Sequence, residues 1–263
     1  MDNISTMSKQ QLNEVKIILT DIDDTLTTDG RLKSNAYIAL ENLSNSGFIV
    51  IPVTGRCAGW CDHIARMWPV NGVVGENGAF FFSYDHQSKK MQQTYCQTPK
   101  ERKENHLALH EIKKTILKNV SGSALASDQD YRHTDLAIDF AEDVATLSSN
   151  KIKEIVTIAE NAGAIAKVSS IHVNCWIGSH NKLSTSLTTL EQVFGVSNSN
   201  IQNEVLFIGD SPNDSMMFDY FNKSVGVANV MDFIKELDKP PKYITLNHSG
   251  EGFVELADSL LRR

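Results

Sequence analysis

A chain of 263 residues, 41% hydrophobic and 22% charged, has the composition of an ordinary globular protein with room for one large domain or two modest ones. Its formal charge of −7 leaves no basic stripe to neutralise a nucleic-acid backbone, so a nucleic-acid partner is not expected, whereas a small anionic ligand is still compatible with a locally positive site. No apolar stretch approaches the roughly 18 residues that a membrane span needs, and the polar start MDNISTMSKQQLNEV lacks a signal-peptide pattern, so a cytoplasmic protein with no membrane partner is expected. Cys57, Cys61, Cys96 and Cys175 are too scattered for a disulfide framework. Cys57 and Cys61, with His63 nearby, supply too few ligands for a metal, which makes buried thiols the expectation.

In chain order, the apolar run Ile17-Ile18-Leu19 ends in three acids, Asp21, Asp23 and Asp24, and reads as a buried parallel strand. Ser34 is placed to cap a helix with Ala36, Ala39, Leu40 and Leu43 on one face, stopped at Gly47. Phe48 to Val53 is a second strand, running into Thr54, Gly55 and Arg56; a helix over 58–67 follows. Gly72 to Val74 is a third strand, ending in GENGA. This β-α-β-α-β order predicts parallel strands joined by right-handed crossovers.

From Phe80 the texture changes. FFFSYDHQSKKMQQTYC reads as an antiparallel hairpin. A charged helix over 100–118, a strand at 136–140, a helix near 147–161 and a strand pair, AIAKVSS and IHVNCWI, follow. The alternating pattern then resumes with a helix over 182–194, the strand and acids of EVLFIGDSPNDSMMF, the strand SVGVA, a strand at 243–245 and a closing helix over 251–261. We therefore expect an α/β parallel-sheet core, residues 1–83 plus 179–263, interrupted by an inserted α+β domain at 84–178.

Four strand ends carry polar groups: Asp21/Asp23, Thr54, Glu76/Asn77 and Asp210/Asp214. In a parallel sheet these face one edge, where ligands of open α/β sheets bind. Crowded carboxylates repel one another and ask for a cation. A calcium loop is excluded by Leu26 at its sixth position, which wants Gly. The all-helical DxDD cyclase reading conflicts with the abundance of strands. No GxxxxGK[ST] loop occurs, and GVVGENGA lacks GxGxxG spacing, so P-loop nucleotide and dinucleotide binding are not expected.

These motifs resemble those of the haloacid dehalogenase-like superfamily. Its first motif, strand then DxDxT, matches Asp21-Ile22-Asp23-Asp24-Thr25, with Asp24 where many members carry Gly. Its second matches Thr54, its third Lys182, and its fourth, GDxxND, matches Gly209-Asp210-Ser211-Pro212-Asn213-Asp214. The position and α+β texture of the insert look like the cap of the Cof-type branch that holds sugar phosphatases and phosphomannomutases, with a Rossmann-like core beneath.

The resemblance implies a phosphomonoesterase acting on a small, sugar-like phosphate ester, with Mg2+ as cofactor. Asp21 would be the nucleophile and Asp23 the general acid and base. Asp21, the backbone carbonyl of Asp23, and Asp210 would hold the metal, with Asp214 orienting its waters. Thr54 and Lys182 would hold phosphoryl oxygens, joined in substrate binding by Gly55, Arg56, Asn77 and Asn213. Of Arg56, Asn77, Arg132, Lys167, His172 and Asn174, two or three are expected to grip a polyhydroxylated substrate. In SSIHVNCW, alternation puts His172 and Asn174 on one strand face, either a substrate floor or a solvated surface. A phosphosugar mutase and a catalytically silent binding protein on the same fold are the alternatives.

Overall fold

The computed structural model describes residues 1–169 and 171–262. Ser170, the last residue of the expected AIAKVSS strand, lies outside the described residues. Ile17–Thr20 and Val205–Gly209 are buried throughout and pair as neighbours inside a six-stranded sheet. The strand order is Asp2–Asn3, Tyr243–Ile244, Lys223–Gly226, Val205–Gly209, Ile17–Thr20, Ile49–Pro52, and every pairing is parallel.

Strand side chains alternate between faces, and the sheet divides its apolar residues accordingly. Ile18, Val50, Leu206 and Ile208 face one core with Leu40, Leu43, Phe253 and Leu256 from the helices Ser34–Asn45 and Ser249–Leu261. Ile17, Leu19, Ile51 and Phe207 face a second core with Leu190 of the helix Lys182–Gln192, Ile201, Met217 and Phe218. With both faces covered, the strands read as continuous apolar runs, and only their ends are free for polar chemistry.

The edge strand Asp2–Asn3 and the helices Lys9–Glu14 and Asn198–Glu204 are additional to the sequence expectation. Each is short, so it offers too few periods to register. The Ser34 cap is corrected: Lys33 is the N-cap, no side chain caps that helix, and Ser34 is its first residue.

The hairpin Phe80–Asp85 and Lys90–Tyr95 pairs antiparallel with Val73–Gly75, which joins the main sheet through a parallel bridge between Val53 and Val74. Phe80 and Phe82 stack at 4.1 Å and pack into the first core beside Cys61, Ile64 and Val73. Backbone pairing and packing both attach the hairpin to the core, so we propose that the inserted unit begins near residue 97 rather than 84. Beyond it, Ala124–Leu125, Leu136–Asp139, His172–Trp176 and Ile165–Val168 form a separate antiparallel sheet. The helices Pro99–Asn119 and Ser149–Asn161 cover one face through Ile112, Ile116, Ile155, Ile138, Val173 and Cys175. That leaves the His172/Asn174 face for the main sheet's carboxyl edge.

The chain returns to the core through residues 177–181. Gln97 Nε2 donates to the Ile177 carbonyl at 2.6 Å, tying the outgoing and returning segments together. His180 is buried against Trp176, and burial pushes its imidazole down to about 4 from an ordinary 6.5. A depressed value means that folding favours the neutral ring, so its stability contribution is complete above the ordinary value and is lost as pH falls toward about 4. The unfolding free energy of the wild type should therefore fall, relative to His180→Gln, by on the order of 2 kcal/mol across that window. Urea titrations at several pH values read this; parallel profiles for the two proteins would contradict it.

Cys57, Cys61 and Cys175 are buried free thiols and Cys96 is exposed. Burial pushes the Cys57 thiol up to about 11 and the Cys175 thiol up to about 12, as suits packing roles. No helix among the described residues is long and apolar enough to cross a membrane.

Candidate active site

The polar residues at the strand ends meet above the carboxyl edge of the sheet. Asp21 follows Ile17–Thr20 and is fixed by its N–H, which donates to the Ile208 carbonyl at 2.9 Å. Asp210 follows Val205–Gly209, and the chain folds back so that Asp214 Oδ2 accepts from the Asp210 N–H at 3.2 Å. A Cβ on Gly209 would collide with the Asp214 carboxylate, which is why this approach needs glycine at the strand end. Lys182 is the first residue of its helix, behind an Asn181 N-cap whose capping box with Ser184 sets the helix start.

Lys182 Nζ donates to Asp21 Oδ1 at 3.0 Å and Asp214 Oδ1 at 2.8 Å. Asp21, Asp210 and Asp214 are buried, and one oxygen from each lies within 4.8 Å of the others. Burial pushes the Asp21 carboxyl up to about 7; Lys182 pulls it down, while Asp214 and Asp23 push it further up. Asp210 is held well above the ordinary carboxylate value by burial and by the charges of Asp21 and Asp214. Burial opposes the Lys182 ammonium, but Asp21 and Asp214 outweigh it and hold the lysine above its ordinary value. Three buried carboxylates share one ammonium, a balance that favours a further cation. The donors are all oxygens, and such a set fits a hard divalent ion.

Asp23 points elsewhere. Its carboxylate takes Arg56 Nε at 3.0 Å and Nη2 at 2.8 Å in a bidentate pair, so its side chain is not part of the three-acid group. Arg56 Nη1 reaches Glu142 of the inserted unit at 3.3 Å. Glu142 Oε2 in turn lies 2.9 Å from His172 Nε2, at ion-pair distance but without hydrogen-bond alignment. Arg56 is held above its ordinary value by Asp23 and Glu142, against the opposing effect of its burial. Glu142 is drawn down to about 2 by the neighbouring His172 and Arg56, with burial opposing.

Asp21, Asp23, Gly55, Arg56, Asp210 and Asn213 line one cavity with Arg132, Ser169, Ile171, His172, Asn174 and Ser211. The His172/Asn174 face is thus a wall of the site rather than a solvated surface. Thr54 and Asn77 stand just behind the lining. Thr54 Oγ1 accepts from the Arg56 N–H at 3.0 Å, which shapes the turn that aims Arg56. Asn77, in left-handed backbone, packs its amide where a Gly55 Cβ would be. Lys167 is exposed and apart from the cavity.

Arg132 lines the cavity, yet its donors are already taken by Asp128, Asp135 and the Gly55 carbonyl. Glu76 serves structure in the same way. Its carboxylate accepts from the N–H groups of Ala58, His133 and Thr134 and from the Thr134 hydroxyl, joining core to insert. Sequence reasoning passed over Glu142, Ser169 and Ser211. Glu142 stands in an irregular segment with no motif, and its partner Arg56 is 86 positions away.

A sequence model of the haloacid dehalogenase-like hydrolases matches residues 18–255. Two proteins similar along nearly their whole length are a phosphoglycolate phosphatase of Methanobrevibacter smithii and phosphoglycolate phosphatase 1 of Saccharolobus solfataricus. The first is 24% identical over 94% of this chain and 99% of its own; the second is 25% identical over 94% and 96%. Among solved structures, Thermoplasma acidophilum 0175 superposes with a TM-score of 0.70 at 18% identity, covering 94% of this chain and 98% of that one. The match spans both halves of the core and the insert between them: the chain belongs to the haloacid dehalogenase-like hydrolases.

Proposed function

We propose that this haloacid dehalogenase-like phosphatase is a magnesium-dependent phosphomonoesterase, cleaving a small, hydroxylated, sugar-like phosphate ester through an aspartyl-phosphate on Asp21. The observation that carries the reading is the convergence of Asp21, Asp210 and Asp214 on Lys182 at adjoining strand ends. Two similar proteins bear the name phosphoglycolate phosphatase, which favours a small phosphate ester as substrate.

Asp21 Oδ attacks phosphorus and the ester P–O bond breaks, its electron pair leaving with the substrate oxygen. Asp23 gives that oxygen a proton and, as carboxylate, takes one from the water that attacks the phosphoryl group. The bond to Asp21 then breaks and inorganic phosphate leaves. Arg56 holds the Asp23 carboxylate in the resting site; the first step needs that pair to loosen so that Asp23 takes up from solvent the proton it then gives to the leaving oxygen. Lys182 holds the Asp21 carboxylate in place and offsets negative charge on the equatorial oxygens. Mg2+ held by Asp21, Asp210 and the Asp23 carbonyl, with Asp214 behind, would neutralise the phosphoryl oxygens.

Phosphate release from sugar phosphates, nucleotides and an aryl phosphate, with and without magnesium, tests the reading. Magnesium-dependent release with a preference for one sugar phosphate is the expected result. Absence of release from every compound with magnesium present would overturn it. Asp210→Asn should raise the magnesium concentration for half-maximal rate by about tenfold or more, with recovery of rate at high magnesium. A rate that is lost and stays lost at saturating magnesium would contradict a metal-holding role for Asp210.

A further inference from the structure

The cationic side chains that line or back the cavity are already engaged. Lys182 is held by Asp21 and Asp214, and Arg132 by Asp128 and Asp135. Arg56 would be the natural receptor for an anionic leaving group, but Asp23 takes two of its nitrogens and Glu142 takes the third. The same Glu142 stands beside the ring of His172, a further lining residue. What is left without a hydrogen bond among buried side-chain atoms here is His172 Nε2, beside Glu142, and two amide atoms, Asn174 Oδ1 and Asn77 Nδ2, on amides that meet against Gly55. An orphaned buried amide costs stability unless something in the site completes it. The unpaired acceptor, Asn174 Oδ1, belongs to a lining residue and the unpaired donor, Asn77 Nδ2, to the residue behind it, a polar pair suited to a hydroxyl group rather than to a charge.

We infer that Glu142 is a specificity-determining residue: by occupying Arg56 and standing beside His172 it selects an uncharged, hydroxyl-bearing leaving group, read by Asn174 in the lining with Asn77 behind it, against a carboxylated one. A carboxylate arriving on this side meets a like charge and finds its guanidinium already spent, which is discrimination by repulsion as well as by attraction. The assignment rests on the phosphomonoesterase reading and sets this chain apart from its phosphoglycolate-named relatives. Glu142 works through Arg56 and through its own charge, so its effect should appear in KM rather than in kcat.

Phosphoglycolate and hydroxyethyl phosphate form the diagnostic pair, since they differ only in a carboxylate against a hydroxymethyl group. With magnesium, the wild type should favour hydroxyethyl phosphate in kcat/KM by about tenfold or more. Glu142→Gln should shrink that ratio at least about fivefold through a lower KM for phosphoglycolate, while Glu142→Asp, which keeps the charge, should retain most of it. A wild type that prefers phosphoglycolate, or a ratio unchanged in Glu142→Gln, would overturn the inference. If an aryl phosphate is hydrolysed with magnesium in those same experiments, only the inference falls. If it is not, the phosphatase reading falls and takes the inference with it.

Discussion

Replacing Asp21 by asparagine should lower magnesium-dependent phosphate release by about 10⁴-fold or more, with the fold unchanged. The amide is nearly the size of the carboxylate and is a far weaker nucleophile. The change should also relieve repulsion, because burial and the charges of Asp214 and Asp23 already push the Asp21 carboxyl up to about 7. Loss of rate with equal or greater resistance to denaturant is thus the expected pair of results. Substantial residual turnover at saturating magnesium would remove Asp21 from the nucleophile's role.

Lys182→Met should have the second largest effect, and on two quantities at once. The ammonium is the one cationic group on Asp21 and Asp214 among the described residues, and its loss leaves those carboxyls buried and facing each other. Breaking such a buried arrangement costs on the order of 3 kcal/mol in unfolding free energy. The deficit should be larger above the Asp21 value of about 7 than below it, where the carboxyl takes up a proton. Activity should fall by about 10³-fold, since charge on the transferring phosphoryl group loses its counterpart. Denaturant titrations in a chelator and then in magnesium separate the two roles. Partial recovery of stability by magnesium, without recovery of rate, is the expected outcome; full stability in the chelator would contradict the pairing.

The core was readable because its signals are local. Apolar runs such as Ile17 to Leu19 and Val205 to Ile208 end abruptly in acids, and period-two alternation sends neighbours to opposite cores. The same property made Asp21, Asp210 and Asp214 nameable before their convergence, since each follows a strand, whereas Lys182, which alone reads as a surface lysine, was nameable only through the family resemblance. What was not readable depends on contacts between distant segments. The FFF strand announces a hairpin, but its attachment to the core follows from Phe80 and Phe82 packing beside Cys61 and Ile64. Arg132 looks like a substrate clamp in the sequence, whereas Asp128 and Asp135 consume its donors. Asp23 and Arg56 are individually conspicuous, but their bidentate pairing, and the extension of that pair to Glu142 across the boundary with the insert, emerges only from tertiary structure.

The covalent step at Asp21 is tested most directly by acid quenching during turnover followed by peptide mass mapping. An aryl phosphate suits the purpose because its leaving group departs without a proton, and Asp23→Asn suits it because breakdown of the acyl phosphate then lacks its base. A phosphoryl adduct on Asp21, discharged by hydroxylamine, is the predicted result. An adduct on a different residue, or a stoichiometric burst of aryl alcohol with no adduct anywhere, would contradict the account.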